Sequence, residues 1–241
     1  MSYFASYPSV AYRFGNETDL NVFQDISAYV EIIDTIKDNL DFYTLYTILD
    51  GERPDQLSQK IYGSTDYYWT FFLMNDNIRE QGWPLTAQDL DNLIKKDLPN
   101  TVVTTRSNIT TSFNIGQTIT GLSSGATGRI VSRRLDFGQL VIEPTGTFVS
   151  GELVLSTAGT TTQSTILSTG NILQYNSIHH WEDENGLWVD VDPAVGTSSI
   201  YTPVTYYEKY VSDNDELRQI KILKPQAINS VYRSFNEALN V

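Results

Sequence analysis

Histidine and carboxylate side chains are the groups in this sequence that could hold a metal ion or move protons. There are two histidines, His179 and His180, and they are adjacent. Neighbouring side chains of a strand point to opposite faces, so we expect this pair not to hold one metal ion together. We predict a structural or surface role for both.

Acidic and amide side chains follow the histidines at Asp183, Asn185, Asp190 and Asp192. Such oxygens suit calcium, but the spacing does not match an EF-hand loop, which needs Gly at its sixth position and Glu at its twelfth. Turn formation explains them better, because Asn-Gly between aromatic-rich arms predicts a hairpin. The 29 acidic residues allow many carboxylate pairs for glycoside hydrolysis, but none stands out.

The bulk composition narrows the classes of function. A formal charge of −13 disfavours binding to nucleic acid or to an anionic membrane. No phosphate-binding glycine motif occurs, there is no cysteine, and no apolar run approaches the roughly 20 residues of a membrane span. No signal peptide is evident at the first residues. We therefore predict a non-enzymatic protein without cofactor or metal, assembled in a cytosol.

The chain is organised around residues 41–78. Aromatic and β-branched residues from Tyr43 to Leu49 predict a strand. A helix begins near Pro54 and ends before Gly63, where a left-handed residue is needed. Ser64 is placed to cap a second helix, which from Tyr67 to Met74 is apolar except at Thr70.

The second helix needs cover on all its faces. A strand and two helices of roughly fifty residues are too few to surround it. The remaining cover comes either from other parts of this chain or from another protein, and the sequence leaves both open.

The composition changes between residues 101 and 172. Short alternating runs rich in Thr, Ser, Val and Ile, separated by Gly turns, predict an inserted all-β domain, a small barrel or sandwich. The segment Phe113–Gln117 resembles Phe148–Glu152, an internal echo. Before the insert, Thr86 is placed to cap a helix carrying Leu90 and Ile94.

The last part of the chain, residues 173–241, returns to the earlier composition. Gln219 to Leu223 alternates as a half-buried strand does. Pro225 begins a helix with an apolar stripe at Ile228, Val231, Tyr232, Phe235 and Leu239. Residues 1–16 predict an extended arm, and from Val22 to Leu40 periodicity does not separate helix from strand.

The stretch from Asp50 to Ile78, with its Gly-Glu-Arg-Pro turn, Ile-Tyr-Gly stop and Met-Asn-Asp-Asn end, resembles a LysM-type unit. More closely, it is similar to the LysM-like baseplate wedge proteins of contractile-tailed, T-even-type bacteriophages (myoviruses). The runs Gly82–Leu85 and Asn214–Leu223 fit the same family in the same order. Shorter members of that family lack the insert.

The resemblance implies an α+β fold: a LysM-like domain at 41–100, an N-terminal arm and first element at 1–40, the β insert at 101–172, and a C-terminal hairpin, strand and helix that pack back on the LysM-like part. It implies a structural component of the virion tail baseplate wedge, in several copies of a sixfold assembly. The second LysM strand lies either near Thr101–Thr105 or beyond the insert.

The implied partners are neighbouring wedge proteins and sheath- or tube-proximal tail proteins, in a baseplate assembled in the host cytoplasm, without nucleic acid or membrane. The predicted partner interface comprises Tyr67, Tyr68, Trp69, Phe71, Phe72, Trp83, Ile228, Tyr232 and Phe235.

Two other functions stay open. The chain could be a peptidoglycan-binding module, since LysM units bind N-acetylglucosamine polymers through the loops that correspond to Asp50–Arg53 and Asn75–Arg79. A third hypothesis, a β-rich adhesion or tail-fibre module, depends only on residues 101–170.

Overall fold

The computed structural model of the 241-residue chain describes residues 9–15, 19–24, 39–158, 161–194 and 200–239. The chain forms two compact units. The first unit is discontinuous and contains residues 1–87 and 213–241, whereas the second contains residues 88–212. Helices and strands occur together, so the fold is α+β.

The strands of the described residues are β1 Ser9–Tyr12, β2 Asn21–Gln24, β3 Tyr43–Thr47, β4 Thr101–Thr105, β5 Thr118–Gly121, β6 Thr127–Arg134, β7 Gln139–Thr145, β8 Leu153–Ala158, β9 Thr161–Leu173, β10 Ile178–Glu182, β11 Trp188–Val189, β12 Thr202–Thr205 and β13 Gln219–Leu223. The α-helices are α1 Pro54–Tyr62, α2 Trp69–Met74, α3 Asp76–Gln81, α4 Ala87–Asp97, α5 Tyr206–Glu216 and α6 Pro225–Leu239. Within the same described residues, three 3₁₀ turns occupy Thr65–Tyr67, Leu135–Phe137 and Gln174–Asn176.

The limits of α1 follow from local chemistry, as predicted. Pro54 is the first helical residue, where its missing N–H costs no hydrogen bond. Gly63 ends the helix with a φ of 72°, and its N–H donates to the carbonyl of Gln59. The Ser64 hydroxyl accepts from the Asp66 N–H, 3.2 Å away. The predicted second helix is shorter than expected, because a 3₁₀ turn precedes α2 and α3 follows it.

The strand partner of β3 comes from beyond the insert. Strands β3 and β13 are antiparallel, with Tyr43 opposite Leu223 and Thr47 opposite Gln219. Strand β4 joins the second unit instead. Of the two positions that the sequence left open for this strand, the structure has the later one.

Two clusters form the core of the first unit. One consists of Trp69, Met74, Leu223, Ile228 and Val231. The other contains Ile48, Leu57, Phe71, Ile78, Leu217, Ile220 and Ile222. Both therefore draw on β13 or α6 as well as on the helices that follow β3.

The second unit contains a closed barrel of six strands in the order β4-β7-β6-β5-β8-β9. All neighbouring strands are antiparallel, and β4 pairs with β9 to close the barrel. Of the predicted barrel or sandwich, the structure has the barrel. Its interior is filled by Val103, Ile109, Phe113, Ile119, Ala126, Ile130, Leu140, Ile142, Phe148, Val154 and Leu167.

The internal echo in the sequence marks two equivalent corners of this barrel. Phe113 and Phe148 are each 1% exposed, and a glycine with positive φ follows three residues after each. The Asn114 N–H donates to the Gln117 side chain at 2.9 Å, and the Val149 N–H donates to Glu152 at 2.6 Å. Each corner thus buries a phenylalanine. The N–H of the residue after that phenylalanine donates to a side-chain oxygen three residues further along the chain. If β4 is exchanged with β7, β5 with β8 and β6 with β9, every strand of the closed barrel keeps the same two neighbours.

The rest of the second unit holds α4, most of α5 and a sheet in the order β11-β10-β12. The predicted Asn185-Gly186 turn joins β10 to β11, and Gly186 has a φ of 76°. The Asp183 carboxylate accepts from the N–H groups of Asn185 and Leu187. These two hydrogen bonds lower the pKa of Asp183 and outweigh its slight desolvation. Helix α5 was not predicted. The four segments drawn from the sequence, with their three boundaries, stay predictions.

Candidate interaction surface

The aromatic side chains of α2 form the interior of the first unit. Phe71 is fully buried and Trp69 is 4% exposed. Tyr62 stacks on Phe71 at 6.0 Å between ring centroids, and Tyr232 of α6 lies 6.3 Å from Trp69. The apolar helix is therefore covered by β13 and α6 of the same chain, which was one of the two alternatives.

The nine residues predicted as a partner interface fall into four groups. Trp69, Phe71 and Ile228 are buried, so in this conformation they stabilise the unit from inside and do not reach a partner. Phe235 belongs to α6, but its side chain lies outside the described residues. Tyr68 is 39% exposed, and the half-buried ones are Tyr67, Phe72, Trp83 and Tyr232.

Asn75 attaches β13 to the helices. Its side chain is 7% exposed; Oδ1 accepts from the Lys221 N–H at 2.7 Å, and Nδ2 donates to the Lys221 carbonyl at 2.8 Å. The same Nδ2 also donates to the carbonyl of Phe71. The amide therefore satisfies backbone groups on both sides, which a buried polar group requires. The sequence indicated only that a helix ends here.

A second pair of contacts joins the two chain segments of this unit. The Asn214 amide accepts from the Leu85 N–H at 2.8 Å and donates to the Leu85 carbonyl at 3.1 Å. Arg218 donates to the same carbonyl and forms ion pairs with Asp50 and Asp215. The sequence analysis named Asn214 only as the start of the family-like run and did not predict this role. The one sequence signal for this role was that Asn214 and Arg218 both belong to the family-like run Asn214–Leu223.

The polar groups of the predicted glycan loops are engaged within the chain. Glu52 accepts from the Tyr46 hydroxyl, the Leu49 N–H and the Lys60 ammonium. Desolvation would raise the pKa of Glu52, but these hydrogen bonds outweigh it and lower the pKa. The Trp83 indole donates to the Glu52 carbonyl at 2.7 Å. Together with the contacts of Asn75, this leaves the glycan-binding hypothesis without support.

Among the residues that the structure describes, no strand pairs with the outer edge of β3, and this edge is the clearest exposed feature of the first unit. The Lys224 N–H donates to the Phe42 carbonyl, and the Ile48 N–H donates to the Arg218 carbonyl. Because hydrogen bonding alternates along an antiparallel strand, the backbone groups of Tyr43, Leu45 and Thr47 point away from β13. Leu45 is 74% exposed. We call these three residues the β3 edge.

A second exposed apolar feature is the hairpin of β1 and β2. Phe14 contacts Tyr12 and Phe23 edge-on, at 5.0 and 5.7 Å between centroids. A two-stranded hairpin is marginally stable by itself, and exposed apolar clusters of this kind mark interaction sites. Its exposed apolar side chains are Val10, Tyr12, Phe14, Leu20, Val22 and Phe23.

The histidine pair is arranged differently from the prediction. A register shift between Ile178 and His180 turns the two rings toward each other, so that their Nδ1 atoms lie 2.9 Å apart. The premise that they lie on opposite faces was wrong, because a bulge breaks the alternation of a strand. His180 also contacts Glu182 and stacks on Trp188. In the residues that the structure describes, no three metal-ligating side chains cluster.

The interpretation that the sequence contains no G-x-S-x-G motif was wrong, because one segment has that spacing, and it lies in a structural turn. Gly121–Gly125 has the G-x-S-x-G spacing, which in hydrolases presents a nucleophile between a strand and a helix. Here it joins β5 to β6, and the Ser123 hydroxyl donates to Glu152 at 3.1 Å. The motif therefore gives no support to a nucleophilic serine.

Comparison with known proteins supports a functional class. Residues 15–90 match the family described as base plate wedge protein 53. The match supports a phage baseplate wedge protein. It covers less than half of the chain, from β2 to the start of α4, and includes the β3 edge and the aromatic core helices. The sequence matches none of the curated proteins with which it was compared. Within the described residues no helix is long and apolar enough to span a membrane.

Proposed function

We propose that this chain is a structural, non-enzymatic component of a phage tail baseplate wedge, and that it joins neighbouring wedge subunits by protein–protein contacts. The single observation that carries the proposal is the family match over residues 15–90. The matched segment contains the open strand edge and part of the exposed hairpin, both suited to a protein partner.

The finer features of the proposal come from the resemblance. We infer a LysM-like unit of the kind found in contractile-tailed, T-even-type phages, in several copies of a sixfold baseplate assembled in the host cytoplasm. The element order of the first unit, a strand, helices and a second antiparallel strand, supports this inference. Its partners would be other wedge proteins and sheath- or tube-proximal proteins, contacted through shape and apolar burial.

The contact surface proposed here is narrower than the nine predicted residues. The β3 edge can accept an additional strand, because an exposed apolar edge without Pro or Lys is open to pairing. Strand β3 carries neither residue. Tyr68 adds an exposed aromatic side chain on the same unit.

The test is assembly with and without the chain. A phage that lacks the gene is expected to accumulate incomplete wedges and no closed baseplates, as seen by electron microscopy of lysates. Complementation with the intact chain should restore complete baseplates. Complete baseplates in the absence of the chain would overturn the proposal.

A variant pair locates the contact. Leu45→Asp places a charge on the β3 edge, whereas Ile166→Asp places one at an exposed barrel residue, of which 59% is accessible. We expect Leu45→Asp to abolish complementation and Ile166→Asp to retain it, with both proteins folded by circular dichroism. Equal complementation by the two variants would remove the β3 edge from the interface.

A further inference from the structure

His179 and His180 form a contact whose geometry depends on the number of protons that the two rings carry. They are the two histidines of the sequence. Their Nδ1 atoms lie 2.9 Å apart, and Nε2 of His180 lies 2.9 Å from Oε1 of Glu182. Because His180 is 4% exposed, these side chains take the place of water as its hydrogen-bond partners.

The hydrogen bonds determine where the protons of the pair lie. An ionised carboxylate only accepts hydrogen bonds, so Nε2 of His180 carries a proton and donates it to Glu182. In a neutral imidazole the other nitrogen has no proton, so Nδ1 of His180 is an acceptor. The donor opposite it is the Nδ1–H of His179. Both tautomers are therefore defined when both rings are neutral.

This contact accommodates one added proton but not two. With one imidazolium and one neutral imidazole, one Nδ1 still donates and the other still accepts. With two imidazolium rings every ring nitrogen carries a proton, so two N–H groups and two positive charges face each other across 2.9 Å. The second proton therefore separates the rings. Histidine ordinarily titrates near pH about 6.5, and coupled groups take up their protons in two steps, the second at lower pH.

The charged groups around the pair oppose each other. The Glu182 carboxylate favours a positive ring, whereas Arg134 of β6, which donates to the His179 carbonyl at 2.9 Å, disfavours it. From α5, the Tyr206 ring meets His179 edge-on at 4.8 Å, and Glu208 accepts from the last residue of β12. The four residues of β12 carry no charge. What distinguishes the second proton from the first is thus the contact between the two rings.

Trp188 connects the histidine pair to the surface. Its ring stacks on His180 at 4.2 Å and lies edge-on to His179 at 5.4 Å between centroids, so separation of the two imidazoles changes its support. Trp188 and Leu187 are nevertheless each 64% exposed. Strand β11 is an edge strand whose two residues pair with β10. So short a pairing gives little stability by itself, and the stacked ring adds to it. We call Leu187–Val189 the β11 arm.

The geometry points to a pH-sensitive switch in the second unit. With no added proton or one, the histidine pair holds Trp188 against β10. The second proton separates the two rings and releases the β11 arm, while β10 stays paired with β12. Acid thereby frees two exposed apolar side chains, those of Leu187 and Trp188. The switch is a property of the fold and is independent of the proposed wedge function.

The switch is tested by an NMR titration of the full chain from pH about 8 to pH about 4. Long-range ¹H–¹⁵N spectra report the protonation state of each of the two histidine rings. We expect two steps separated by more than about one pH unit. The indole N–H signal of Trp188 should move with the second step, and ¹⁵N relaxation should show the β11 arm becoming mobile there. The signals of Trp69 and Trp83 should stay.

Two variants separate the switch from ordinary titration. His179→Phe and His180→Phe each leave one imidazole beside an aromatic ring, so no second N–H opposes the first. A single imidazolium can also remain stacked on an indole. We expect one histidine step in each variant and no acid release of Trp188. Glu184→Gln is the control, because it removes an exposed carboxylate of the same turn and should keep both steps.

Three outcomes would overturn the inference. The two histidines titrate in one shared step, the Trp188 signal moves with the first proton or not at all, or either His→Phe variant still releases the β11 arm in acid. Circular dichroism and the signals of Trp69 and Trp83 verify that each variant is folded. If one substitution prevents folding, the other variant and the unchanged chain decide by the same criteria.

Discussion

The two units of this chain build their cores in opposite ways. The barrel takes its interior from one continuous stretch, residues 101–173, and fills it with aliphatic side chains around Phe113 and Phe148. The first unit combines segments from both ends of the chain, and its aliphatic core around Trp69 and Phe71 is surrounded by further rings that are only partly buried. A closed barrel pairs every strand on both sides, whereas the sheet of β3 and β13 has two strands in the described residues, none of which pairs with the β3 edge.

The difference shows where partners are most readily accommodated. Closure makes the barrel independent of additional strands. The barrel can therefore lie between α4 and β13 in the chain while the first unit is completed by β13, which follows it. The first unit needs buried amides such as Asn75 and Asn214 to hold its returning segment. Its unpaired edge and exposed hairpin are the features that association would complete.

The largest expected effect comes from truncating a core ring in one unit at a time. Phe71→Ala should destabilise the first unit by about 3–5 kcal/mol, and Phe148→Ala should destabilise the barrel by a similar amount, since both rings are buried and leave cavities. Fluorine NMR of 5-fluorotryptophan-labelled protein in urea reads the units separately, because Trp69 and Trp83 lie in the first and Trp181 and Trp188 in the second.

If the two units fold independently, each substitution lowers the denaturation midpoint only for the two tryptophans of the unit that carries it. If Phe71→Ala shifted all four signals together, the units would not be independent, and the barrel could not be regarded as self-sufficient.

A smaller effect is expected where the returning segment is attached. Asn75→Ala leaves the Lys221 N–H and carbonyl without their amide partner, which should cost the first unit about 1–3 kcal/mol. Asn77→Ala, two residues further on in α3, is the control. Urea denaturation followed at Trp69 and Trp83 measures both variants. An effect no larger than that of the control would show that β13 is held by packing alone.

Tyr62→Phe should cost about 1 kcal/mol, because it removes only the hydrogen bond from the hydroxyl to the Leu223 carbonyl at 3.0 Å. Burial raises the pKa of Tyr62 to about 12, so the hydroxyl remains a donor at neutral pH. The variant also tests ring packing, since the phenyl ring keeps its stacking on Phe71. Loss as large as for Phe71→Ala would mean that the hydroxyl organises the core.

Substitution of the acidic acceptor at one barrel corner should have the smallest effect on stability at neutral pH and a clear effect on stability in acid. At one corner the acceptor is the neutral Gln117, at the other Glu152. Desolvation would raise the pKa of Glu152, but hydrogen bonds from Val149, Ser124 and Ser123 outweigh it and lower the pKa below 4.5. Its stabilising contribution is therefore complete above the unfolded-state pKa and is lost as the pH falls through the lower folded-state value.

Urea denaturation of the barrel between neutral pH and pH about 3 measures this loss. Asp183 contributes in the same direction, because its pKa is lowered too. Glu152→Gln should make the decline with falling pH shallower and leave the part due to Asp183. An identical decline in the variant would contradict the assigned role of Glu152.

Local structure could be predicted from the sequence because short-range chemistry determines it. Pro54 and Gly63 bound α1, Asn185-Gly186 forms its hairpin turn, and Pro225 begins α6. The alternating runs of the insert predicted strands, and the echo at Phe113 and Phe148 marked its two corners. The family-like run from Asp50 also lies inside the segment matched by the wedge family.

Long-range relations depended on the tertiary structure. The pairing of β3 with β13 joins residues more than a hundred positions apart, and the local strand signal of β4 is equally strong, so propensity does not choose between them. Whether Trp69 and Phe71 face a core or a partner depended on where α6 packs. The bulge at His180 and the unpaired oxygen of Gln139 likewise exist only in three dimensions, because they result from register and from the hydrogen bonds that surrounding elements leave unmade.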